Sequence, residues 1–334
     1  MALNKSSEIS LYFAGAGTVG CYLGAWLAAN GANVKLLLRP WLAKELSAFG
    51  IKVSHWRGCG FSNPKGLTWT THSSSMAQAD VIFVTVKSGA TEKIAREIAC
   101  FASKKCLIVS LQNGVENLAT LRHFCSDHEV VGGMVPFNIV NRGAGHFHQG
   151  TSGELWFGQG GSELVSLLSS YNLTCRYHGN IEAVHWGKLL LNLNNVINAL
   201  SDLPLQQELS QRRYRLVLAA TIREALKVYD GAGIHAKSVI RLPLTWLPAL
   251  LSLPDSLFNV MAPSILAIDP NARSSMWEDL QKGRKTEFDD INGKIIRLGK
   301  KLDIETPVNT HLQTLISDAE KQGLSAMPAM NMLP

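Results

Sequence analysis

From residue 9 to residue 44 the chain has no aspartate and no glutamate; Glu8 and Glu45 stand on either side of the gap. Other shortages exclude whole classes of function. Only 17% of the 334 residues are charged, and although the formal net charge is +6, its lysines and arginines are scattered. The basic clusters QRRYR (211 to 215) and KGRK (282 to 285) are short and lack interleaved aromatics, so no nucleic-acid partner is expected. The six cysteines (21, 59, 100, 106, 125 and 175) form no CxxC and no paired spacing. They read as buried free thiols, which excludes a zinc finger or a disulfide framework and fits a reducing, cytoplasmic compartment. MALNKSSEIS has neither the basic start nor the apolar core of a signal peptide. The longest apolar region, 242 to 268, is cut by Pro248, Pro254 and Pro263 and carries Asp255. It therefore predicts short packed helices and no membrane span.

What is present is a change of period. From residue 9 to about 135, short apolar runs alternate with longer amphipathic ones, the pattern of a parallel sheet covered by helices. ISLYFAGAG, ANVKLLLR, ADVIFVTV and CLIVSLQNG are four such strands, VVGGMVPFNIV (130 to 140) reads as a fifth, and GTSGELWFG with TCRYHG reads as late, antiparallel strands. Beyond residue 180 the strand signal stops and helical periodicity takes over. The fold class is thus α/β: an N-terminal Rossmann-type, doubly wound parallel sheet (1–180) followed by an all-helical domain (181–325), with 326–334 expected to fray.

GAGTVG (15 to 20) lies between the first strand and a helix, with a second strand following at the right distance, the context in which a GxGxxG pattern is credible. Gly15 makes the tight turn, Gly17 lets the backbone approach a pyrophosphate, and Gly20 lets helix and strand pack closely. Ala16, Thr18 and Val19 complete the phosphate-binding turn at the helix N-terminus. An NAD-binding chain places an acid at the end of the second strand to accept hydrogen bonds from the ribose 2′-OH. In the acid-free stretch that place falls to Arg39, whose guanidinium suits a 2′-phosphate, so NADP(H) is the expected cofactor. Lys87 in VTVKSGAT and Asn113 in LQNGVEN end two further parallel strands, on the edge where doubly wound sheets bind ligands.

HWGKLLLNLNNVINAL (185 to 200) has the leucines and valines of a buried helix, interrupted by one lysine and four asparagines. Lys188, Asn192 and Asn195, at i, i+4 and i+7, leave the helix within about 60° of one another. With GAGTVG, VTVKS, LQNG, HWGKLLLN, SSMWEDLQKGRKTEFDDINGKI and TPVNT, the chain from about residue 9 to about 320 resembles the ketopantoate reductase (2-dehydropantoate 2-reductase) family. The resemblance implies NADPH-dependent reduction of a 2-keto acid, with Lys188 as general acid and Glu287 beside both the lysine and the cofactor. It also implies Lys87 on the cofactor, Asn113 between cofactor and substrate, and Asn192 and Ser275 on the substrate. The family's second substrate asparagine has no single counterpart: its position by helical count is Val196, a two-residue insertion restores a match with Asn198, and helical geometry favours Asn195. Ser274 reads as a helix start.

The chemistry agrees with those roles. Reducing a ketone places negative charge on its oxygen, which an ammonium both stabilises and protonates. The expected partner is a small 2-keto acid, ketopantoate first and another 2-keto acid second, with a non-catalytic NADP sensor a third reading that the pairing of Lys188 with Glu287 argues against. No metal is called for. A homodimer is one of the two states, with the monomer, that the resemblance implies.

Overall fold

The continuous apolar runs become the centre of a sheet because a strand covered on both faces has no side on which to keep polar residues. A computed structural model describes residues 9–334 except Cys59, Leu324 and the side chain of Ser264, and divides into two compact units, Met1–Ile181 and Glu182–Pro334. The first unit has twelve strands among its described residues: β1 (Ser10–Ala14), β2 (Asn33–Leu37), β3 (Lys52–His55), β4 (Gly60–Ser62), β5 (Leu67–Thr70), β6 (Val81–Val84), β7 (Leu107–Ser110), β8 (Val130–Met134), β9 (Ile139–Asn141), β10 (His146–Gln149), β11 (Leu155–Phe157) and β12 (Cys175–Tyr177). Its helices are α1 (Thr18–Ala29), α2 (Pro40–Phe49), α3 (Thr91–Phe101), α4 (Asn117–Phe124) and α5 (Ser162–Ser170).

Eight strands form one sheet in the order β12-β11-β8-β7-β6-β1-β2-β5, parallel from β8 to β5. Strand β11 runs antiparallel to β8 and β12 lies parallel to β11, so both late strands run opposite to the rest of the sheet, as expected. Alternate residues of β1 feed opposite faces. Leu11 and Phe13 join a core with α1 and α5, while Tyr12 and Ala14 join one with α3 and Met76. Phe13 stacks on Phe83 across β1 and β6, with ring centroids 4.8 Å apart. Successive strands lead away from β1 toward β2 on one side and β6 on the other, so the order reverses between β1 and β6, where such sheets bind ligands.

Two expectations about this unit need correction. VVGGMVPFNIV is not one strand: β8 takes its first half, and β9 enters a second sheet of order β4-β3-β10-β9. That sheet packs on α1, where Trp26 meets Phe61 edge-on at 5.3 Å. Its strands are short and half polar (KVSH, GFS, HFHQ), which gave no strand signal. The cysteines are free, but not all are buried: Cys100 is exposed and Cys175 half-buried, while Cys59 lies outside the described residues. Burial holds the thiols of Cys106 and Cys125 up, at about 12 and about 11.

The second unit is built from α6 (Ile181–Asn192), α7 (Asn194–Ser201), α8 (Leu205–Leu209), α9 (Arg212–Gly231), α10 (Leu247–Leu251), α11 (Asp255–Met261), α12 (Pro263–Leu266), α13 (Ser275–Gln281), α14 (Asn292–Leu302) and α15 (Pro307–Gln322). The proline-cut region 242 to 268 forms short helices, α10 to α12 with a 3-10 turn before them. No helix of the described residues is long and apolar enough to cross a membrane. HWGKLLLNLNNVINAL is two helices, broken at Leu193. The end expected to fray is docked instead, because Ala329 and Met332 are apolar and bury, while Met330 stays exposed. Met327 N donates to Leu200 O (2.8 Å), and Ala329 and Met332 are buried in a 3-10 turn.

Candidate functional site

In the first unit the glycine turn is tied on two sides. Ala16 N donates to Leu37 O at the end of β2 (2.9 Å), and Thr85 Oγ1 donates to Gly15 O from the end of β6 (3.3 Å). Each glycine is required for a different reason. Gly15 has φ +72°, and a Cβ there would lie 2.0 Å from Val86 Cγ1; a Cβ on Gly20 would lie 2.5 Å from Thr85 Oγ1. A Cβ on Gly17, by contrast, would meet no protein atom within 4 Å. Nothing in the protein demands glycine at that point, which is what a backbone reserved for a close-lying ligand requires. Cys21 N bonds back to Gly17 O (2.9 Å), leaving the amides of Thr18, Val19 and Gly20 in the open first turn of α1, where an anion is favoured.

Arg39 follows β2 as the exposed N-cap of α2, and among the described residues its guanidinium makes no bond. Lys87, exposed, follows β6, and Asn113 follows β7. Gly15 to Gly20, Arg39, Lys87 and Asn113 therefore stand at the carboxyl ends of β1, β2, β6 and β7, on one edge of one sheet. A buried amide network, whose pairings have no local sequence signal, holds two of these loops together. Gln112 Nε2 donates to Val86 O (3.0 Å) and Thr91 Oγ1 (2.7 Å); Thr91 Oγ1 donates to Asn117 Oδ1 (2.7 Å); Asn117 Nδ2 donates to Ser88 Oγ (2.9 Å) and Asn113 O (2.5 Å). Gln112 and Asn117 flank Asn113 in LQNGVEN, so the motif itself was visible although its bonds to Thr91 were not.

In the second unit Lys188 lies in α6 directly after Gly187. A Cβ on Gly187 would fall 1.8 Å from Lys237 O, so only glycine lets that backbone cross the helix, and Lys237 N donates to Ala183 O (2.8 Å). One turn of α6 is thus pinned beside the lysine. Trp186 O accepts from Tyr229 Oη of α9 (2.9 Å), and the two rings meet edge-on. Lys188 as a residue is half-buried, but its ammonium is largely withdrawn from water, and this desolvation pushes its pKa down to about 8 against the opposing pull of the Glu287 carboxylate.

Glu287 is held from both neighbours. Thr286 N and Oγ1 donate to Glu320 of α15 (2.9 and 2.7 Å), and Phe288 is buried. The INGK and TPVNT segments brace the same region. Asn309 donates to Glu224 Oε2 from both N (3.0 Å) and Nδ2 (2.7 Å) and accepts from Asn292 Nδ2 (3.1 Å), which joins α9, α14 and α15. Glu224 also receives Val308 N (2.7 Å) and so caps α15, a role with no local sequence signal.

The four asparagines of HWGKLLLNLNNVINAL separate into two kinds. Asn192 and Asn195 are half-buried, and among the described residues their amides make no hydrogen bond. Asn198 is fully buried and saturated: Nδ2 donates to Leu203 O (3.0 Å) and Glu208 Oε2 (2.7 Å), and Oδ1 accepts from Ser274 N (2.8 Å). Asn194 is buried against the same glutamate. The expectation that Asn198 could bind a ligand is therefore corrected: it has neither exposure nor a spare donor. Ser274 is the N-cap of α13, its Oγ accepting from Trp277 N (3.1 Å) and donating to Asn195 O (3.1 Å), which leaves Ser275 exposed at the first position of the helix.

A dinucleotide-type phosphate turn on a doubly wound sheet, followed by a helical unit carrying a buried lysine opposed to a glutamate, defines a two-unit oxidoreductase architecture. The family model for ketopantoate reductase PanE/ApbA matches residues 11–162, and that for its C-terminal part matches residues 180–320. The chain belongs to this family of oxidoreductases. Among its relatives is the 2-dehydropantoate 2-reductase of Archaeoglobus fulgidus, 27% identical over 318 residues, covering 92% of this chain and 96% of that one. A PanE/ApbA family ketopantoate reductase from Ralstonia eutropha superposes with a TM-score of 0.78 at 26% identity, over 94% of this chain and 99% of that one. D-mandelate dehydrogenase, solved with NADH and anilino(oxo)acetate, shares the fold, with a TM-score of 0.76 at 22% identity over 94% and 99%.

Proposed function

We propose that the chain is an NADPH-dependent reductase of 2-dehydropantoate (ketopantoate), forming pantoate, with Lys188 as the proton donor. The carrying observation is the Lys188 ammonium, withdrawn from water, opposed to Glu287 and brought down to about 8. A lysine tuned to that range is charged at neutral pH yet gives up its proton far more readily than a solvated one. The open space beside Gly17 and the free first turn of α1 fit a pyrophosphate, and Arg39, with no acid between residues 9 and 44, fits the 2′-phosphate that distinguishes NADPH. Ala16, Thr18 and Val19 join that turn, and Lys87 and Asn113 complete the cofactor edge.

When bound, the cofactor supplies the hydride for C2 of the keto acid. As negative charge grows on the carbonyl oxygen, Lys188 stabilises it and transfers a proton to it, leaving a neutral amine that solvent reprotonates. Glu287 favours the charged form of the lysine before the step. Asn192 and Asn195 offer unspent amides to the substrate, and Ser275 offers a hydroxyl at the start of α13 for its carboxylate. The relatives named 2-dehydropantoate 2-reductase favour ketopantoate; the fold shared with D-mandelate dehydrogenase favours, as a second reading, another 2-keto acid. Free thiols among the described cysteines support work in the cytoplasm.

A panel of 2-keto acids, read by NADPH consumption at 340 nm, separates these readings. Ketopantoate is expected to give the highest kcat/KM; a higher value with another 2-keto acid would transfer the assignment to that substrate.

A further inference from the structure

Asn198 owes its orientation to a buried acid. Turned end for end, its carboxamide would set an oxygen against Leu203 O and Glu208 Oε2, so these two acceptors fix which end faces Ser274. Glu208 has no exposed surface, and what acts on it is burial together with the amides of Asn198 (2.7 Å) and Asn194 (3.5 Å). Burial pushes its carboxyl up to about 8. Two buried acceptors here, Glu208 Oε1 and Asn194 Oδ1, have no donor among the described residues. With burial and two amides acting on it and no cation among those causes, a carboxyl that keeps its proton avoids an unpaired buried charge, so the packing fits glutamic acid in its neutral form.

The consequences run along a chain of bonds. Asn198 holds the amide of Ser274, and Ser274 caps α13 and bonds Asn195 O. Asp202, just past α7, adds a second tie by accepting from Trp277 Nε1 (2.7 Å). Helices α7 and α13 are thereby locked as a pair, one carrying Asn195 and the other Ser275.

We propose that Glu208 is a positioning residue for the substrate end of the helical unit: by fixing the amide of Asn198 it sets Ser274, and through it the placement of Asn195 and Ser275 toward a bound 2-keto acid. This rests on the keto-acid reading above. Glu208 itself touches neither substrate nor cofactor.

The test compares Glu208→Gln with Glu208→Leu. Glutamine keeps a neutral acceptor and donor of the same shape, so KM for ketopantoate, kcat and NADPH affinity should stay within about twofold of the parent. Leucine removes the acceptor; KM should rise about tenfold, as expected for the loss of one well-placed hydrogen bond, while NADPH affinity is unchanged. Amide hydrogen exchange at Ser274 and Trp277 should quicken at least about tenfold in the leucine variant and not in the glutamine one. If the leucine variant does not fold, Asn198→Ala cuts the same link and must raise KM and Ser274 exchange alike. Unchanged exchange and KM in these link-breaking variants, or a glutamine variant as impaired as the leucine one, would overturn the proposal. The exchange measurement needs no substrate: a parent protein that turns over no 2-keto acid sinks the keto-acid reading, whereas unchanged exchange sinks the positioning role.

Discussion

The turn from Gly15 to Gly20 and the helix pair α6–α7, the two places where ligands are proposed to bind, leave room by different means: the turn by leaving side chains out, the helices by leaving particular side chains unspent. In the turn, the telling position is Gly17, where a Cβ would meet nothing of the protein. In the helices, the telling contrast is between Asn195, whose amide makes no bond among the described residues, and Asn198, three residues on, whose amide is fully used. Backbone recognition leaves a fixed spacing of glycines in a sequence. Side-chain recognition leaves only polar residues on a buried face, and which of them are free depends on partners far along the chain.

Variants can break this comparison at either end. The largest effect is expected at Gly17. Gly17→Val should leave the melting temperature within a few degrees yet weaken NADPH more than about a hundredfold, since a side chain would occupy the space beside the helix terminus; titration of NADPH fluorescence reads it, and unchanged affinity would remove the phosphate from this turn. Arg39→Ala should weaken NADPH about tenfold to a hundredfold and NADH hardly at all, the range of a lost charge-assisted hydrogen bond. Equal losses for both cofactors would show that Arg39 does not read the 2′-phosphate.

The asparagine pair sharpens the other end. Asn195→Ala should raise KM for the keto acid about tenfold with no loss of stability, whereas Asn198→Ala should raise KM and also lower stability by about 1–3 kcal/mol, because it strands Ser274 N and Glu208 in the core. Thermal melts beside steady-state kinetics distinguish the two, and a reversed pattern would exchange their roles. The smallest effect is expected from Glu287→Gln. Lys188 works in its charged form, so kcat should fall as pH rises through about 8. Removing the carboxylate that favours the charge should move this alkaline limb to lower pH, by up to about one unit; a shift to higher pH would contradict the pairing.

The same contrast explains how much could be read from the sequence. The central strands, the glycine turn, the acid-free stretch that contains Arg39, and the lysine on a polar helical stripe were all legible, because each is a local pattern of residue type and spacing. The second sheet was not: KVSH, GFS and HFHQ are three or four residues long and half polar, and they pair with segments up to about a hundred residues away. The choice between Asn195 and Asn198 turned on Glu208 and on Ser274, 76 residues beyond Asn198. The break at Leu193 and the docking of Met332 likewise follow from tertiary packing that no local period records.

The most direct test of the central claim is the steady-state rate of ketopantoate reduction by Lys188→Ala, measured alongside its affinity for NADPH. Removing a general acid should lower kcat about a thousandfold while NADPH binds within about twofold of the parent. A variant that reduces ketopantoate at the parent rate would contradict the assignment of Lys188 as the proton donor.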